Sequence, residues 1–354
     1  MKTYELLGKD LRLLLKDDTL ALISKTEMTT VSSAIYNGGF KKAKAVLNVH
    51  VPKDYDDKIL HENPEQIVLE VLKKFNLDPQ QTVGMITAAD VGKFSMMTTE
   101  KEDLIVSAIA TAGCSLAETA GENIETDLNH PGTINTIVAI HGNPTESCLM
   151  QTFITATEAK TASLKELDVR SKYSGDPATG TVTDSLVIVS TNNGPQIKFG
   201  GPTSKLGKLV GYCVRKAVKN AIIKQGLSLN RSIFNRFAER NLPIKEFISE
   251  ISKASSLRIN EEEIMAKFAK TIEKEPFFAL MLMVAANMDE DAKKGLIPKE
   301  LGNLTNLNKQ FKEMLLKLTC KENFHRRTIS EEKLDFSKSP FLKQTLISII
   351  EGLF

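Results

Sequence analysis

Residues Thr133–Leu167 read TINTIVAIHGNPTESCLMQTFITATEAKTASLKEL, and this stretch decides the class of fold. Its first part, Thr133 to Ile140, is rich in β-branched residues and predicts a strand. Asn143-Pro144-Thr145-Glu146 then predicts a helix start, with Asn at the N-cap, Pro at the first position and Glu at the third. We expect this helix to continue to Leu167. A strand followed at once by a long helix indicates a fold that mixes both elements.

Similar elements surround this stretch as far as about residue 226. Strands are expected at 11–15, 20–23, 29–35, 45–51, 82–88, 93–99, 104–111 and 185–190. Asp17-Asp18 is a plausible hairpin turn, and the wholly apolar strand 185–190 suits a central position in a sheet. One helix should run from an N-cap at Asn63 to about Phe75. Another should follow Leu206, Leu209, Cys213, Ala217 and Ala221 and stop near Gly226.

The sequence changes in character after residue 226. Residues 228–354 have helical periodicity and almost no strand signal, with a capping box at Asn260 and Glu263 and a possible kink at Pro276. We therefore predict an α+β domain over 1–226, with a mixed or antiparallel sheet packed with helices. An all-α extension of unknown role should occupy 227–354.

Composition indicates a globular protein of the cytoplasm. The 354 residues are 42% hydrophobic and 25% charged, with a formal net charge of +2, and no basic stripe suggests a nucleic-acid partner. Charges interrupt every apolar run near the N-terminus, and no uncharged span of about 18 residues predicts a membrane helix. The four cysteines lack a CxxC pair, which favours reduced thiols over a disulfide frame. A homo-oligomer is compatible with these features.

Small polar residues and glycines cluster where several expected strands end. The clusters are Asn37-Gly38-Gly39, Asn48-Val49-His50, Thr87-Ala88-Ala89-Asp90, Pro131-Gly132-Thr133-Ile134-Asn135 and Thr179-Gly180-Thr181-Val182-Thr183-Asp184. Glycine lets the backbone approach a ligand closely, and a polar residue at a strand mouth is held rigidly while it faces solvent. Each cluster by itself could be a turn, but together they favour one shared pocket.

Several blocks of the sequence resemble the adenosylcobinamide amidohydrolase family. They are Ser32–Phe40 (SSAIYNGGF), Val46–Tyr55 (VLNVHVPKDY), Val83–Asp90 (VGMITAAD), Pro131–Asn135 (PGTIN), Ala156–Thr161 (ATEAKT), Ala178–Ser185 (ATGTVTDS) and Phe199–Pro202 (FGGP). The blocks occur in the family's order and cover roughly residues 28–222. The helical extension lies outside the resemblance.

The resemblance implies hydrolysis of the amide that joins aminopropanol to the corrin ring, releasing adenosylcobyric acid in corrinoid salvage. It implies a corrinoid substrate that carries its own cobalt, so that the protein needs no cofactor or metal site. It carries over no assignment of catalytic residues. A non-catalytic corrinoid-binding protein and a hydrolase of a different amide are alternatives that the residues leave open.

Amide hydrolysis requires an activated nucleophile, a stabilised oxyanion and an acid for the leaving amine. Asp184 is the first candidate for a base that orients water or Thr181; alternatively it is a turn carboxylate. Glu158 is the second candidate, or else an ion-paired helix residue. Lys160 lies two positions along the same helix and therefore points about 200° away from Glu158. His50 could act as acid or base near neutral pH, or hold a structural hydrogen bond.

The expected substrate-binding residues come from the polar clusters and the matching blocks. They are Asn37, Asn48, Asp54, Asp90, Asn135, Thr179 and Thr181. His130 and His141 bracket a strand and lie up to about 36 Å apart along extended chain, so a shared metal ion is not expected. Gly113-Cys114-Ser115-Leu116-Ala117 approximates a nucleophile elbow, but the following residues do not predict the helix that an elbow needs.

Overall fold

A computed structural model describes residues 2–7, 11–52, 55, 62–122, 132–255, 260–301, 309–310, 313, 329–330, 334–335, 337 and 339–353. The chain forms two compact units, residues 1–230 with 239–241, and residues 231–238 with 242–354. A domain boundary near residue 226 stays a prediction about which part of the chain folds by itself. The first unit combines a curled mixed sheet with helices and the second is helical, so the α+β class with a helical extension is confirmed.

All the strands of the described residues lie in the first unit. They are β1 (Lys2–Leu6), β2 (Leu11–Lys16), β3 (Thr19–Ser32), β4 (Gly39–His50), β5 (Thr82–Thr87), β6 (Ser95–Lys101), β7 (Leu104–Gly113), β8 (Ala117–Glu118), β9 (Thr133–His141), β10 (Asn143–Pro144), β11 (Gly180–Thr181), β12 (Ser185–Ser190) and β13 (Gln196–Ile197). Its helices are α1 (Gln66–Phe75), α2 (Glu146–Glu166) and α3 (Lys205–Gln225).

Nine of the described strands form one sheet in which β3 is the branch point, and β10 with β13 and β8 with β11 form two-stranded sheets. One edge of β3 pairs with β2 over its first half and with β12 over its second half. The other edge pairs with β4, which continues to β5 in parallel. Beyond β12 the order is β9, β7, β6, so β12 is central as the sequence predicts. This branching lets the sheet curl until two groups of strands face each other.

Alternate faces of the strands bury different cores. In β9, Ile134, Val138 and Ile140 pack with α2 and α3, whereas Ile137 and Ala139 face β2, β3, β4 and β5 across a second core. The period of two along a strand makes this possible, because successive side chains point to opposite faces. The outer face of β4 packs on α1 through a third core. The unit is therefore layered as helices, strands, strands and helix.

Several predicted boundaries are wrong in detail. The segments 20–23 and 29–35 are one strand, β3, whose pairing with β4 shifts register between Ile23 and Met28. The turn at Asp17-Asp18 is confirmed, with both residues at positive φ. Asn143 is not an N-cap: it pairs in β10, and Thr145 caps α2 by accepting a hydrogen bond from the Cys148 N–H at 3.2 Å.

The helix starts differ in the same way elsewhere. Asn63 is not the N-cap of α1, because that helix begins at Gln66 and Glu65 precedes it without a side-chain cap. Its end at Phe75 and the end of α3 before Gly226 are confirmed. The N-cap predictions at Asn63 and Asn143 were wrong because the Pro that follows each of them also suits a turn just before a helix.

The described helices of the second unit are α4 (Ile233–Glu239), α5 (Ile244–Ala254), α6 (Glu261–Lys274), α7 (Pro276–Lys293) and α8 (Pro340–Leu353). The capping box is confirmed at its first residue, where Asn260 accepts from the Glu263 N–H at 2.7 Å. Pro276 does not kink one helix but starts a new one, because Glu275 leaves the helical region. Within the described residues, no helix has both the length and the apolar composition that crossing a bilayer requires.

The helical unit contains a buried carboxyl group at Asp289, which is 3% exposed. Its oxygens accept from the N–H groups of Phe341 at 3.0 Å and Leu342 at 2.9 Å, at the start of α8. Burial raises the pKa of the Asp289 carboxyl to about 6, while those two N–H groups and Lys293 oppose the rise. The folded unit thus prefers the protonated form.

This preference predicts a pH-dependent stability. Because the folded pKa lies above the unfolded value, the contribution is complete below about pH 4 and is lost as pH rises through about 6. Relative to D289N, the free energy of unfolding of the wild type should fall by about 2 to 3 kcal/mol between pH 4 and 7. Denaturant unfolding followed by circular dichroism measures it. D291N, on the exposed side of α7, keeps Asp289 and is the control: relative to D289N it should show the same fall as the wild type.

Candidate active site

The carboxylate of Asp184 is the centre of the candidate site. Its Oδ1 accepts hydrogen bonds from the hydroxyl of Thr181 and from the N–H of Ile134, the latter at 2.9 Å. Its Oδ2 accepts from the Lys160 ammonium and from the Thr181 N–H at 3.2 Å. Four donors from β9, α2 and the β11 loop therefore converge on one carboxylate, whose side chain is 15% exposed.

Local sequence explains why this loop can hold Asp184. Gly180 and Thr181 form β11, which pairs antiparallel with β8. A Cβ on Gly180 would come within 2.7 Å of Asp184 Oδ2 and 2.9 Å of Lys160 Nζ, so only glycine fits between them. Thr179 anchors the start of the loop, because its hydroxyl accepts from the Ala120 N–H at 2.8 Å and its carbonyl accepts from Thr161 at 3.0 Å.

A second polar group lies between the two facing groups of strands. Asn135 donates through Nδ2 to Asn48 Oδ1 and to the Ile86 carbonyl, both at 2.8 Å. Asn48 donates in turn to Thr111 Oγ1 at 2.9 Å. Asn48 is 2% exposed and Asn135 is 1% exposed, and Asn135 Oδ1 makes no hydrogen bond. The structure thus brings together two residues that lie 87 positions apart in the sequence.

His50 lies at the end of β4, two residues beyond Asn48. Its Nδ1 is 3.0 Å from the carbonyl oxygen of Ala89. Because a carbonyl only accepts, we assign the Nδ1 proton to this bond, which leaves Nε2 to take or give a proton. Asp90 follows in the same loop, where it is exposed and accepts from the Gly92 N–H at 2.8 Å as the cap of a short 3-10 turn.

An open pocket of about 320 Å³ borders these groups. Its lining residues are Ala88, Ala89, Ala112, Gly113, Cys114, Ser115, Gly132, Thr133, Ile222, Gln225 and Leu227. Ala89 joins it to His50, and Thr133 precedes the Ile134 N–H that binds Asp184. Thr133 also hydrogen-bonds Thr183 at 2.6 Å. We call this the strand-end pocket.

Other predicted site residues lie elsewhere. Asn37 is at positive φ and donates to the carbonyls of Pro79 and Thr82, at the start of β5 rather than at its pocket end. Glu158 is exposed and lines a groove of about 570 Å³ between α2 and α3, together with Tyr212 and Arg215. Asp54 lies outside the described residues.

Sequence reasoning missed Lys160 and Cys114 as parts of the site. The 200° separation of Glu158 and Lys160 was the available signal, but it could not say which of the two faces Asp184. Cys114 follows β7 and lines the strand-end pocket, and the next described element after it is β8, which begins at Ala117.

Metal binding would require several ligand side chains close together. Among the described residues, no three His, Cys, Asp or Glu side chains come together in a way that could hold a metal ion. His130 lies outside the described residues, so its predicted separation from His141 stays a prediction.

Comparison with known proteins identifies the family. Residues 7–229, well over half of the chain, match the family of adenosylcobinamide amidohydrolases (CbiZ). The chain belongs to the adenosylcobinamide amidohydrolase family. The match extends beyond the resemblance at 28–222 on both sides and includes the strands and helices that form the candidate site.

Two relatives of this amidohydrolase are archaeal. An adenosylcobinamide amidohydrolase of Methanosarcina mazei is 27% identical over 221 residues, which are 60% of this chain and 98% of that protein. An uncharacterized protein of Methanocaldococcus jannaschii is 30% identical over 206 residues, 53% of this chain and 80% of the relative.

Solved structures are more distant from the amidohydrolase. A Pyrococcus horikoshii protein is 12% identical with a TM-score of 0.35. An L-aminopeptidase D-Ala-esterase/amidase from Ochrobactrum anthropi is 11% identical with a TM-score of 0.29. Both comparisons cover 61% of this chain and 83% of the other. At these TM-scores neither structure supports a conclusion about this chain.

The surroundings of Cys114 in the amidohydrolase make its thiol a poor nucleophile. Desolvation raises the pKa of Cys114 to about 12; the charge of Asp184 adds to the rise, and that of Lys160 opposes it. The thiolate is the reactive form. At pH 8 only about one part in 10⁴ would be thiolate, against roughly a quarter for an ordinary cysteine.

Alkylation of Cys114 by iodoacetamide at pH 8 should therefore be slow. Allowing for the higher intrinsic reactivity of a basic thiolate, we expect a rate roughly 50-fold below that of the unfolded protein. Peptide mass spectrometry after timed labelling measures it. Equal rates in the native and the unfolded chain would contradict the desolvation of the Cys114 thiol and the effect of the negative charge of Asp184 on it.

Proposed function

We propose that this chain hydrolyses the amide joining aminopropanol to the corrin ring of adenosylcobinamide, a linear non-peptide amide, and releases adenosylcobyric acid. The family match carries the substrate class. The observation that carries the site is the convergence of Thr181, Asp184 and Lys160 beside the strand-end pocket. The relative from Methanosarcina mazei bears the same family name over nearly its whole length.

Asp184 and Thr181 supply the nucleophilic side of the reaction. The hydroxyl of Thr181 donates to Asp184 Oδ1, which is the arrangement needed for a carboxylate to take a proton from an attacking oxygen. The oxygen of Thr181, or of a water held in its place, attacks the amide carbon and passes its proton to Asp184. Cleavage of the C–N bond frees the amine, and water completes the formation of the carboxylic acid.

His50 and the asparagine pair serve the substrate side. With the Nδ1 proton held by the Ala89 carbonyl, Nε2 of His50 can take up a proton from solvent and then give it to the leaving amine. We assign Asn48, Asn135, Thr179 and Asp90 to binding the amide groups of the substrate; Ala89 and Thr133, which are near Asp90 and Asn135 in the sequence, line the strand-end pocket. The corrinoid brings its own cobalt, so the proposal gives the protein no metal or cofactor of its own. The proposal also assigns the reaction to corrinoid salvage in the cytoplasm. It involves no nucleic-acid partner.

Incubation of the purified chain with adenosylcobinamide tests the proposal. We expect mass spectrometry to detect adenosylcobyric acid and aminopropanol in equal amounts. A change in the visible spectrum on corrinoid titration without any product at stoichiometric enzyme would contradict hydrolysis and favour a corrinoid-binding protein. A panel of other amides distinguishes a hydrolase of altered specificity.

The pair D184N and E158Q locates the chemistry. Each variant replaces one carboxylate by an amide of the same shape, but Asp184 lies beside the strand-end pocket and Glu158 in the groove between α2 and α3. We expect D184N to lower kcat by about 100-fold or more, because a general base contributes at least that much. E158Q should stay near the wild-type rate. Loss of turnover in E158Q alone would move the reaction to the groove.

A further inference from the structure

Lys160 reaches the candidate site from outside the loop that carries Asp184. It lies in the second turn from the end of α2, and its ammonium group donates to Asp184 Oδ2. Its side chain is only 16% exposed and that of Asp184 is 15% exposed. Both charges are therefore largely removed from water, unlike the exposed pair Lys205–Glu102 on the same unit.

Removing a carboxylate from water is costly unless a partner compensates its charge. The ammonium group of Lys160 compensates the charge by donating to Oδ2, and the hydroxyl of Thr181 donates to Oδ1. The N–H of Thr181 also donates to Oδ2 at 3.2 Å, so Thr181 contacts both oxygens and only Oδ2 receives the ammonium group.

Gly180 makes this contact possible. The place that a Cβ would occupy is 2.7 Å from Asp184 Oδ2 and 2.9 Å from Lys160 Nζ. A side chain at position 180 would force Asp184 or Lys160 to shift. The glycine, the lysine and the aspartate are consequently one packed unit, although the lysine lies 24 positions from the aspartate in the sequence.

We propose that Lys160 is a positioning residue for amide hydrolysis, acting through Asp184 rather than on the substrate. It compensates the charge of the carboxylate and keeps it turned so that Oδ1 meets the hydroxyl of Thr181. This inference rests on the proposed function, and it adds to that function a residue whose effect passes through a second one.

The first test compares K160M with K165M. Met keeps most of the aliphatic length of Lys160 and removes the charge, and Lys165 is an exposed lysine on the same helix. With adenosylcobinamide as substrate, K160M should lower kcat by about 100-fold or more, as expected when a base is misplaced. KM should change by less than about threefold, because the substrate does not touch Lys160. K165M should match the wild type.

A double-mutant cycle separates positioning from a merely structural ion pair. If Lys160 acts through Asp184, K160M/D184N should be no more than about threefold slower than D184N, because the second change removes nothing further. Multiplicative losses would overturn the inference. The double variant contains no uncompensated charge, so it keeps the test valid if K160M alone fails to fold.

The outcomes also distinguish the two proposals. Wild-type chain that forms no adenosylcobyric acid would overturn the function, and the role of Lys160 with it. Active wild type with K160M as fast as K165M would overturn only the role of Lys160. A lower melting temperature in K160M with unchanged kcat would do the same, since it would mark the pair as structural.

Discussion

The buried carboxylate of Asp184 is the constraint around which the first unit is arranged. A carboxylate that is mostly out of water needs donors on both oxygens and a compensating cation. Here the donors are the N–H of Ile134, the N–H and hydroxyl of Thr181, and the ammonium of Lys160. These groups belong to β9, to the loop before β12 and to α2, so the site exists only when sheet, loop and helix have come together.

The curl of the sheet positions the pair of asparagines, Asn48 and Asn135, in the candidate site. Because β3 pairs with β2 and β12 along one edge and with β4 along the other, the ends of β4 and β5 come to lie over the start of β9. Two asparagine side chains meet there: Asn135 donates to Asn48, and the pair donates further hydrogen bonds to Thr111 and to the Ile86 carbonyl. A buried amide pair of this kind tolerates little displacement, because every lost hydrogen bond leaves an unpaired group in the core. It fixes the spacing of the two groups of strands beside the pocket.

Much of this could be predicted from local patterns, and the remainder depends on long-range contacts. Strand 185–190 and the end of α3 before Gly226 follow from an apolar run and from a glycine that ends a helix, both of which are properties of neighbouring residues. The polar clusters around Asn48, Asn135 and Asp184 were expected to converge, and these three do lie at one end of the strands. Asn37 carries the same kind of turn sequence, yet it holds the other end of β5. Sequence alone does not distinguish the two ends, because the difference arises from strand pairing.

Lys160 and Glu158 illustrate how the remaining ambiguity is resolved physically. Residues two apart on a helix point about 200° from each other, so a Glu-Ala-Lys segment can direct only one of its charges at a given pocket. Glu158 beside Asp184 would place two carboxylates together in a site shielded from water, and one of them would be driven to take up a proton. Lys160 in that place instead donates to Asp184 Oδ2, while the hydroxyl of Thr181 donates to Oδ1. The carboxylate of Glu158 remains exposed in the groove between α2 and α3, where Arg215 and Lys216 are also present and where hydration makes its charge inexpensive. Helix α2 therefore turns its cation toward the buried acid because the reverse orientation would leave two like charges out of water.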